Sequence, residues 1–359
     1  MSMKAIQVGT AVVPPGEKAR GHMSAPMPDG SRVDIPVVVV NGRKEGPILY
    51  IQAAQHGVEL NGAEAIRVWA DRLLPEQLAG AFIGVPIANP LAALRTRRHF
   101  YLMPDGETYS DPTPHQMNRC WPGDAGGNET ERLVHALYRE AVAQADYAID
   151  LHAWELWVAS ASLSCGWLEG SVELARLFGL RLVLVREEPA PPDSSQSRLF
   201  HHVLCEQGVP AIAVELRGQR DMVPSSIEEG VQGLGNVLRR LGMIEGEPEP
   251  TPNQAVVEQR AFASALVEVH SPATGLIIPE AEVGSEVSEG QCIARLLDVS
   301  CIRAIPIHSP VDGFLYRLSR MTGDPDTRDQ DMTPVVYEGD PLAMIYPLSP
   351  AELSRKVGE

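Results

Sequence analysis

Between Lys4 and Gly246 the chain alternates short runs of apolar, often β-branched residues with longer amphipathic stretches. The segment from Lys4 to about Asn41 reads as strand-rich, with turns at Pro14-Pro15-Gly16 and Asp29-Gly30. A continuous β-branched run such as Val37–Val40 fits a strand covered on both faces. The run 47-PILYIQAA-54 predicts the next buried strand. Residues 61–74 predict a helix whose Ala63, Ile66, Val68, Trp69 and Leu73 form an apolar face, and 81-AFIGVPI-87 predicts a further strand. A proline-containing loop follows over about 98–128. Helix 129–144 is expected next, with Asn128 as N-cap and acids in its first turn, where the helix dipole favours them. Strands are expected at 146-DYAIDLH-152, 181-RLVLV-185 and 210-PAIAVE-215, then a helix over 226–241 capped by Ser225 or Ser226. Alternation of this kind means an α/β sheet with helices on its faces.

After Gly246 the pattern changes. The acidic, proline-rich stretch 247-EPEPTPNQ-254 reads as a connector. Residues 256–347 are short β-like runs with turn glycines and no clear helix. They contain an internal echo: 269-VHSPATGLI-277 matches 307-IHSPVDGFL-315, and each is followed by a glycine-containing hairpin signal, 289-EGQCIARL-296 and 338-EGDPLAMI-345. Two matching β units predict a small pseudo-symmetric β domain that resembles the lipoyl/biotinyl hairpin architecture. The division expected is therefore a larger α/β domain over 1–246, a linker over 247–255, a small β domain over 256–347 and a tail over 348–359.

Composition narrows the functions this organisation can serve. No apolar run approaches the roughly 20 residues that cross a bilayer, and the first residues lack the apolar stretch of a signal peptide, so a cytoplasmic location is expected. The net charge of −17 repels nucleic acid and anionic membranes; neither is an expected partner, while a homo-oligomer is compatible with it. Lysine occurs only at Lys4, Lys18, Lys44 and Lys356. The β domain thus has no lysine to carry lipoyl or biotin and reads as structural or gating, and the middle of the chain has no Schiff-base or P-loop lysine. The five cysteines are dispersed without a CxxC pair, which argues for reduced thiols and against a zinc ribbon. No G-x-S-x-G elbow is present, and 233-GLGNVL-238 is not a dinucleotide fingerprint, because its third glycine position is Leu238 and no strand precedes it.

The candidate chemistry sits at strand ends. His56 and Glu59 follow the strand 47–54, and His-x-x-Glu alone is as often simple decoration of a helix start. Its location changes that, since catalytic groups of open α/β sheets gather beyond the carboxyl ends of the strands. His152 ends a second apolar strand, with Asp150 two residues earlier on the same face. A buried Asp-x-His can be a core histidine with its carboxylate partner. Taken together, however, His56, Glu59 and His152 make a two-histidine, one-carboxylate set of the kind that holds a catalytic zinc and leaves a position for water. Asp150 is then expected to accept the second N–H of a ligand histidine, with His56 the expected partner. Glu215 ends a third apolar strand, as the general base acting on zinc-bound water or as a salt-bridge partner of a nearby arginine. Guanidinium groups in 89-NPLAALRTRRHF-100 and 117-MNRCWPG-123 suit an anionic carboxylate or a developing oxyanion; Arg95 and Arg97 stay unassigned.

The order His-x-x-Glu, Asn-Pro plus Arg, Asn-Arg, Asp-Leu-His and strand-Glu resembles the succinylglutamate desuccinylase/aspartoacylase family, zinc-dependent relatives of the zinc carboxypeptidases, over roughly residues 45–220. The resemblance implies a carboxypeptidase-like mixed sheet flanked by helices, a smaller all-β C-terminal domain, and one Zn2+ per chain on His56, Glu59 and His152. It implies that Arg98 polarises the scissile carbonyl, that Asn118 and Arg119 hold the substrate carboxylate, and that Glu215 is the general base. Departures are Gln116-Met117 where the family often has Asp-Leu, a longer loop between Arg98 and Asn118, and an added Arg217, which shares a strand face with Glu215. The implied activity is zinc-dependent hydrolysis of an acyl group from an N-acyl amino acid or related small carboxylate; the alternative is a carboxypeptidase trimming peptide C-termini.

Overall fold

The structure is a computed structural model and describes residues 4–95, 115–298, 303–323 and 330–348. The chain divides into two compact units, Met1–Ala153 with Ala161–Val256, and Trp154–Ser160 with Val257–Glu359.

The first unit begins with strands β1 (Ile6–Val8), β2 (Ala11–Val13), β3 (Glu17–Pro26), β4 (Arg32–Asn41) and β5 (Lys44–Ala53). Then come α1 (Asn61–Arg72), β6 (Ala79–Val85), α2 (Pro90–Leu94), α3 (Glu129–Glu140), β7 (Tyr147–Trp154), β8 (Ala161–Cys165), α4 (Glu169–Phe178) and β9 (Leu182–Arg186). The series ends with α5 (Phe200–Glu206), β10 (Ala211–Arg217), α6 (Pro224–Arg240) and β11 (Ala255–Glu258). The strands β3 to β11 form one nine-stranded sheet in the order β11-β9-β8-β10-β7-β5-β6-β4-β3. It is mixed: β5 runs parallel to β6 and β7, whereas β10 is antiparallel to β8, and β4 is antiparallel to both β3 and β6.

Alternation along the central strands decides what lies on each face. Leu49, Ile51 and Ala53 of β5, with Ile149, Leu151 and Ala153 of β7 and Ile212, Val214 and Leu216 of β10, pack against α1, α4 and α6. Tyr50, Ala148 and Ala211 face the opposite core, which gathers β1, β2, α3 and α5. A sheet covered by apolar layers on both faces accounts for strands that read as nearly continuous apolar runs.

Local chemistry explains the helix boundaries. Asn128 caps α3 in a full capping box: its side chain accepts from Glu131 N at 3.0 Å, and Glu131 accepts from Asn128 N at 3.2 Å. This helix stops at Glu140, short of the expected 144, and a 3-10 turn over Val142–Gln144 completes the segment. The last helix of the unit starts earlier than the serines suggest. Val223 is the cap and Pro224 takes the first position, where its missing N–H costs nothing, so Ser226 is buried within the helix. Its 233-GLG-235 stretch lets helices meet closely: a Cβ on Gly233 would collide with the Phe178 ring. The pattern did not predict β8, α4 or α5.

The second unit comprises α7 (Gln259–Ala265), β12 (Val267–His270), β13 (Gly275–Pro279), β14 (Glu286–Val287), β15 (Cys292–Asp298), β16 (Ala304–His308), β17 (Gly313–Leu318), β18 (Arg320–Gly323), β19 (Gln330–Thr333), β20 (Val335–Val336) and β21 (Pro341–Pro347). The helix α7 departs from the helix-free expectation. Two four-stranded sheets, β12-β21-β17-β14 and β16-β15-β13-β20, repeat the same arrangement. The echoed motifs correspond hydrogen bond for hydrogen bond. His270 Nδ1 donates to Gly339 O and His308 Nδ1 to Gly290 O, both at 2.9 Å. Ser271 O accepts from Gly339 N and Ser309 O from Gly290 N, both at 2.8 Å. Each His-Ser-Pro segment therefore docks on the glycine turn that belongs to the other half.

Candidate active site

The site is assembled where β5 and β7 end side by side. Their parallel register pairs Gln52 with Asp150 and Ala53 with Leu151, so the loop after β5 and the last residues of β7 leave the sheet at the same edge. Ala54 holds a left-handed backbone, φ 56°, and is fully buried. A non-glycine residue takes that conformation only where its surroundings enforce it. Here Ala53 O and Ala54 O accept from Ala88 N and Asn89 N at 2.9 and 3.1 Å. Asn89 also donates to Gln55 O at 3.2 Å while capping α2 through Ala92 N at 3.1 Å. The Asn-Pro pair thus braces the turn that aims His56.

His56, Glu59 and His152 converge, 4%, 2% and 2% exposed. His56 Nδ1 lies 2.8 Å from Glu59 Oε1, and His152 Nδ1 lies 2.8 Å from Glu59 Oε2. The two rings are 4.9 Å apart, and Ala153 N donates to Glu59 Oε2 at 3.2 Å. Two imidazole nitrogens and one carboxylate, with donor atoms all within 4.8 Å of one another, are a donor set that fits a zinc ion with three protein ligands.

Asp150 is fully buried behind this group. The sequence pointed to His56 as its partner, but it faces His152 instead: Asp150 Oδ2 is 2.7 Å from His152 Nε2. Strand alternation is the reason, since residues two apart on β7 share a face and stand next to each other. The carboxylate also accepts from Gln52 Nε2 at 3.2 Å and from Gln55 Nε2. Trp121 Nε1 donates to Gln55 Oε1 at 2.8 Å and Tyr50 OH to Gln52 Oε1 at 2.8 Å, so every polar atom of the bracket is directed. Burial pulls the His152 pKa down, but the charges and hydrogen bonds of Asp150 and Glu59 outweigh it and hold the imidazole well above its ordinary value. Burial, with the charge of Asp150, raises the Tyr50 hydroxyl.

The remaining residues singled out in the sequence are distributed as follows. Asn118 is buried in a 3-10 turn over Met117–Arg119, its Nδ2 3.2 Å from His152 Nε2 and its Oδ1 3.4 Å from Phe200 N. It therefore stands at the imidazole edge that faces away from Glu59. Arg119 follows it, half-buried, with Nη1 3.4 Å from Asn118 O. Glu215 lies on the sheet face opposite Ile212, Val214 and Leu216, the face that also carries Asp150 and His152. Strand β10 neighbours β7, and Ala148 N donates to Pro210 O where both begin, so Glu215 and His152 reach comparable depths. Arg217 shares the face of Glu215 and is half-buried. Arg95 is exposed at the end of α2. Arg97 and Arg98 lie outside the described residues.

Sequence reasoning missed Gln52, Gln55, Trp121 and Asn61. The two glutamines interrupt a buried apolar run, and a polar side chain there needs a partner; that signal was legible. Asn61 was not. Its amide donates to Arg217 O, Gly218 O and Asp221 O at 2.9, 3.0 and 2.9 Å and accepts from Val223 N at 2.8 Å. Together with Arg220 N donating to Val58 O at 2.8 Å, it ties the loop carrying His56 and Glu59 to the end of the strand carrying Glu215.

Comparison with known proteins agrees with this architecture. The model of the succinylglutamate desuccinylase/aspartoacylase catalytic domain matches residues 45–241, and the chain belongs to that family of deacylases. An N-alpha-acetyl-L-2,4-diaminobutyric acid deacetylase of Halomonas elongata is 28% identical over 282 residues, 77% of this chain and 77% of that protein. A succinylglutamate desuccinylase/aspartoacylase from Rhodobacter sphaeroides superposes with a TM-score of 0.63 at 25% identity, covering 91% of this chain and 95% of that one. The fold is also that of the product-bound ectoine utilization protein EutE (DoeB) from Ruegeria pomeroyi, with a TM-score of 0.65 at 20% identity over 96% of this chain and 99% of that one. Among the described residues no helix is long and apolar enough to cross a membrane.

Proposed function

We propose that the protein is a zinc-dependent amidohydrolase that removes an acyl group from an N-acylated amino acid or a closely related small carboxylate. The observation that carries this reading is the pair of 2.8 Å approaches of two imidazole Nδ1 atoms to the two oxygens of the buried Glu59. His56, Glu59 and His152 would hold the ion. Zinc held there would supply Lewis-acid chemistry, polarising the carbonyl and making water a stronger nucleophile.

The chain's own groups do the rest. Asp150 fixes the His152 ring, keeping Nδ1 toward Glu59. Glu215 takes the proton of the attacking water as the C–O bond forms, then delivers it to the amide nitrogen as the C–N bond breaks. The products are a free carboxylate and a free amine. Arg98 is proposed to stabilise the negative charge that develops on the carbonyl oxygen, and Asn118 with Arg119 to hold the substrate carboxylate. The test is elemental analysis of the purified protein combined with a screen of acylated amino acids, N-alpha-acetyl-L-2,4-diaminobutyric acid among the first because the Halomonas elongata relative is its deacetylase. Zinc together with hydrolysis of one class of acylated amino acid supports the reading; zinc-replete protein that hydrolyses none of them contradicts it.

A further inference from the structure

A second cluster of metal-ligating side chains lies outside this site. Cys165 closes β8, and His201 and His202 lie in the first turn of α5; all three are buried, at 0%, 4% and 2% exposure. One donor atom from each lies within 4.8 Å of the others. The imidazole rings are 4.5 Å apart at 71°. We propose that Cys165, His201 and His202 form a second metal site, for a thiophilic divalent ion of the zinc type, that clamps α5 to β8.

Each ligand is held ready. Cys165 N donates to Ser171 Oγ at 3.0 Å, which anchors the strand end, and Cys165 Sγ lies 3.8 Å from His201 O. His202 Nδ1 donates to Gln196 O at 2.9 Å, so its tautomer is fixed and Nε2 carries the lone pair. A histidine ligand is oriented in this way when its second nitrogen is bound to a carbonyl. Trp167 packs edge-on against the same ring at 5.3 Å. His201 Nδ1 is buried with no hydrogen-bond partner among the described residues. A buried nitrogen left without a partner is destabilising, and coordination at that nitrogen would remove the penalty.

The electrostatics define what fits. Burial, and then the cations around them, keep both imidazoles neutral, His202 with a pKa of about 4; neutral imidazole is the ligand form. Arg186 and Arg119 stand near, as does His152 for His201. A divalent ion alone would be repelled by them, but it binds with loss of the Cys165 proton to solvent, and the thiolate offsets one of its two charges. The Cys205 thiol lies beside that of Cys165 and interacts with it, and solvent would complete a four-coordinate set. Because Phe200 N contacts Asn118 Oδ1 at 3.4 Å, a fixed α5 also fixes the backbone behind Asn118.

Cobalt separates this site from the catalytic one, because only this one has sulfur. Protein produced in cobalt-supplemented medium is predicted to contain about two metal ions per chain and to show a thiolate-to-cobalt charge-transfer band. Cys165→Ser should lose the band and one equivalent of metal, and His202→Gln should lose them too while leaving the thiol in place. His152→Ala should lose one equivalent and keep the band. Circular dichroism on each variant verifies the fold. A wild-type protein with a single ion and no charge-transfer band overturns the proposal, as does a band that survives in Cys165→Ser. Neither result touches the catalytic zinc, whose loss in His152→Ala is read independently.

Discussion

Asp150 and His152 form a pair inside the sheet: Asp150 Oδ2 stands 2.7 Å from His152 Nε2, while His152 Nδ1 faces Glu59 at 2.8 Å. One imidazole thus has its back to a carboxylate held by two glutamines and its front toward the group that would take the ion. Asp150→Asn keeps the shape and removes the charge. Zinc affinity, measured by competition with a chromophoric chelator, is expected to fall roughly 10–100-fold, the usual effect of losing a partner behind a ligand histidine. Unchanged affinity would mean that the pair is only a buried polar contact.

Asn61 links the two halves of the site through four hydrogen bonds to residues 217–223. Asn61→Ala leaves three carbonyls and one N–H to find other partners, at a cost of about 1–3 kcal/mol for each that stays buried and unsatisfied. The expected outcome is a fall in melting temperature together with a loss of turnover at retained zinc. A variant that is less stable but fully active would show that the tie supports the fold and not the placement of Glu215.

The capping box of α3 gives a prediction free of the active site. Asn128→Ala removes the acceptor for Glu131 N and should cost about 1 kcal/mol. In a domain of this size that lowers the melting temperature by roughly 2–4 °C, with turnover unaffected.

Acid sensitivity follows from the two buried histidines of α5. Their folded pKa values lie below the ordinary value near 6.5, His202 at about 4, through burial and then the neighbouring cations. The unfolded chain therefore binds protons that the folded one refuses, and stability falls as pH drops from about 6.5 toward 4. Above that window these groups contribute no pH dependence. In chelator-treated protein, His202→Gln should flatten the stability–pH curve by up to about 1.4 kcal/mol per pH unit. An equally steep curve would contradict the assignment.

How far the sequence reached can be read residue by residue. The three strands that carry the candidate residues were legible, because a buried apolar run is marked by residues adjacent in sequence. Asn128 was legible for the same reason: a cap acts within four residues. The partner of Asp150 was misjudged because choosing between two histidines needs the register of β7, where the near neighbour wins. Pro224 displaced the serines as a helix start because it is preorganised for the first turn. Asn61, Trp121 and the Cys165–His201–His202 cluster are brought together by contacts distant in sequence, and no local pattern marks them.

Glu215 is the one carboxylate of the set that is proposed to move a proton and not to hold the ion. Glu215→Gln retains size and hydrogen-bonding capacity but cannot accept a proton. Zinc content, thermal unfolding and initial rates should be measured on one preparation of this variant. This role predicts zinc at the wild-type level, an unchanged melting temperature, and turnover reduced roughly 10²–10⁴-fold, the contribution expected of a general base. KM should change little, because Asn118 and Arg119 are untouched. Near-normal turnover, or a loss of stability with turnover preserved, would contradict it and return Glu215 to the role of a salt-bridge partner.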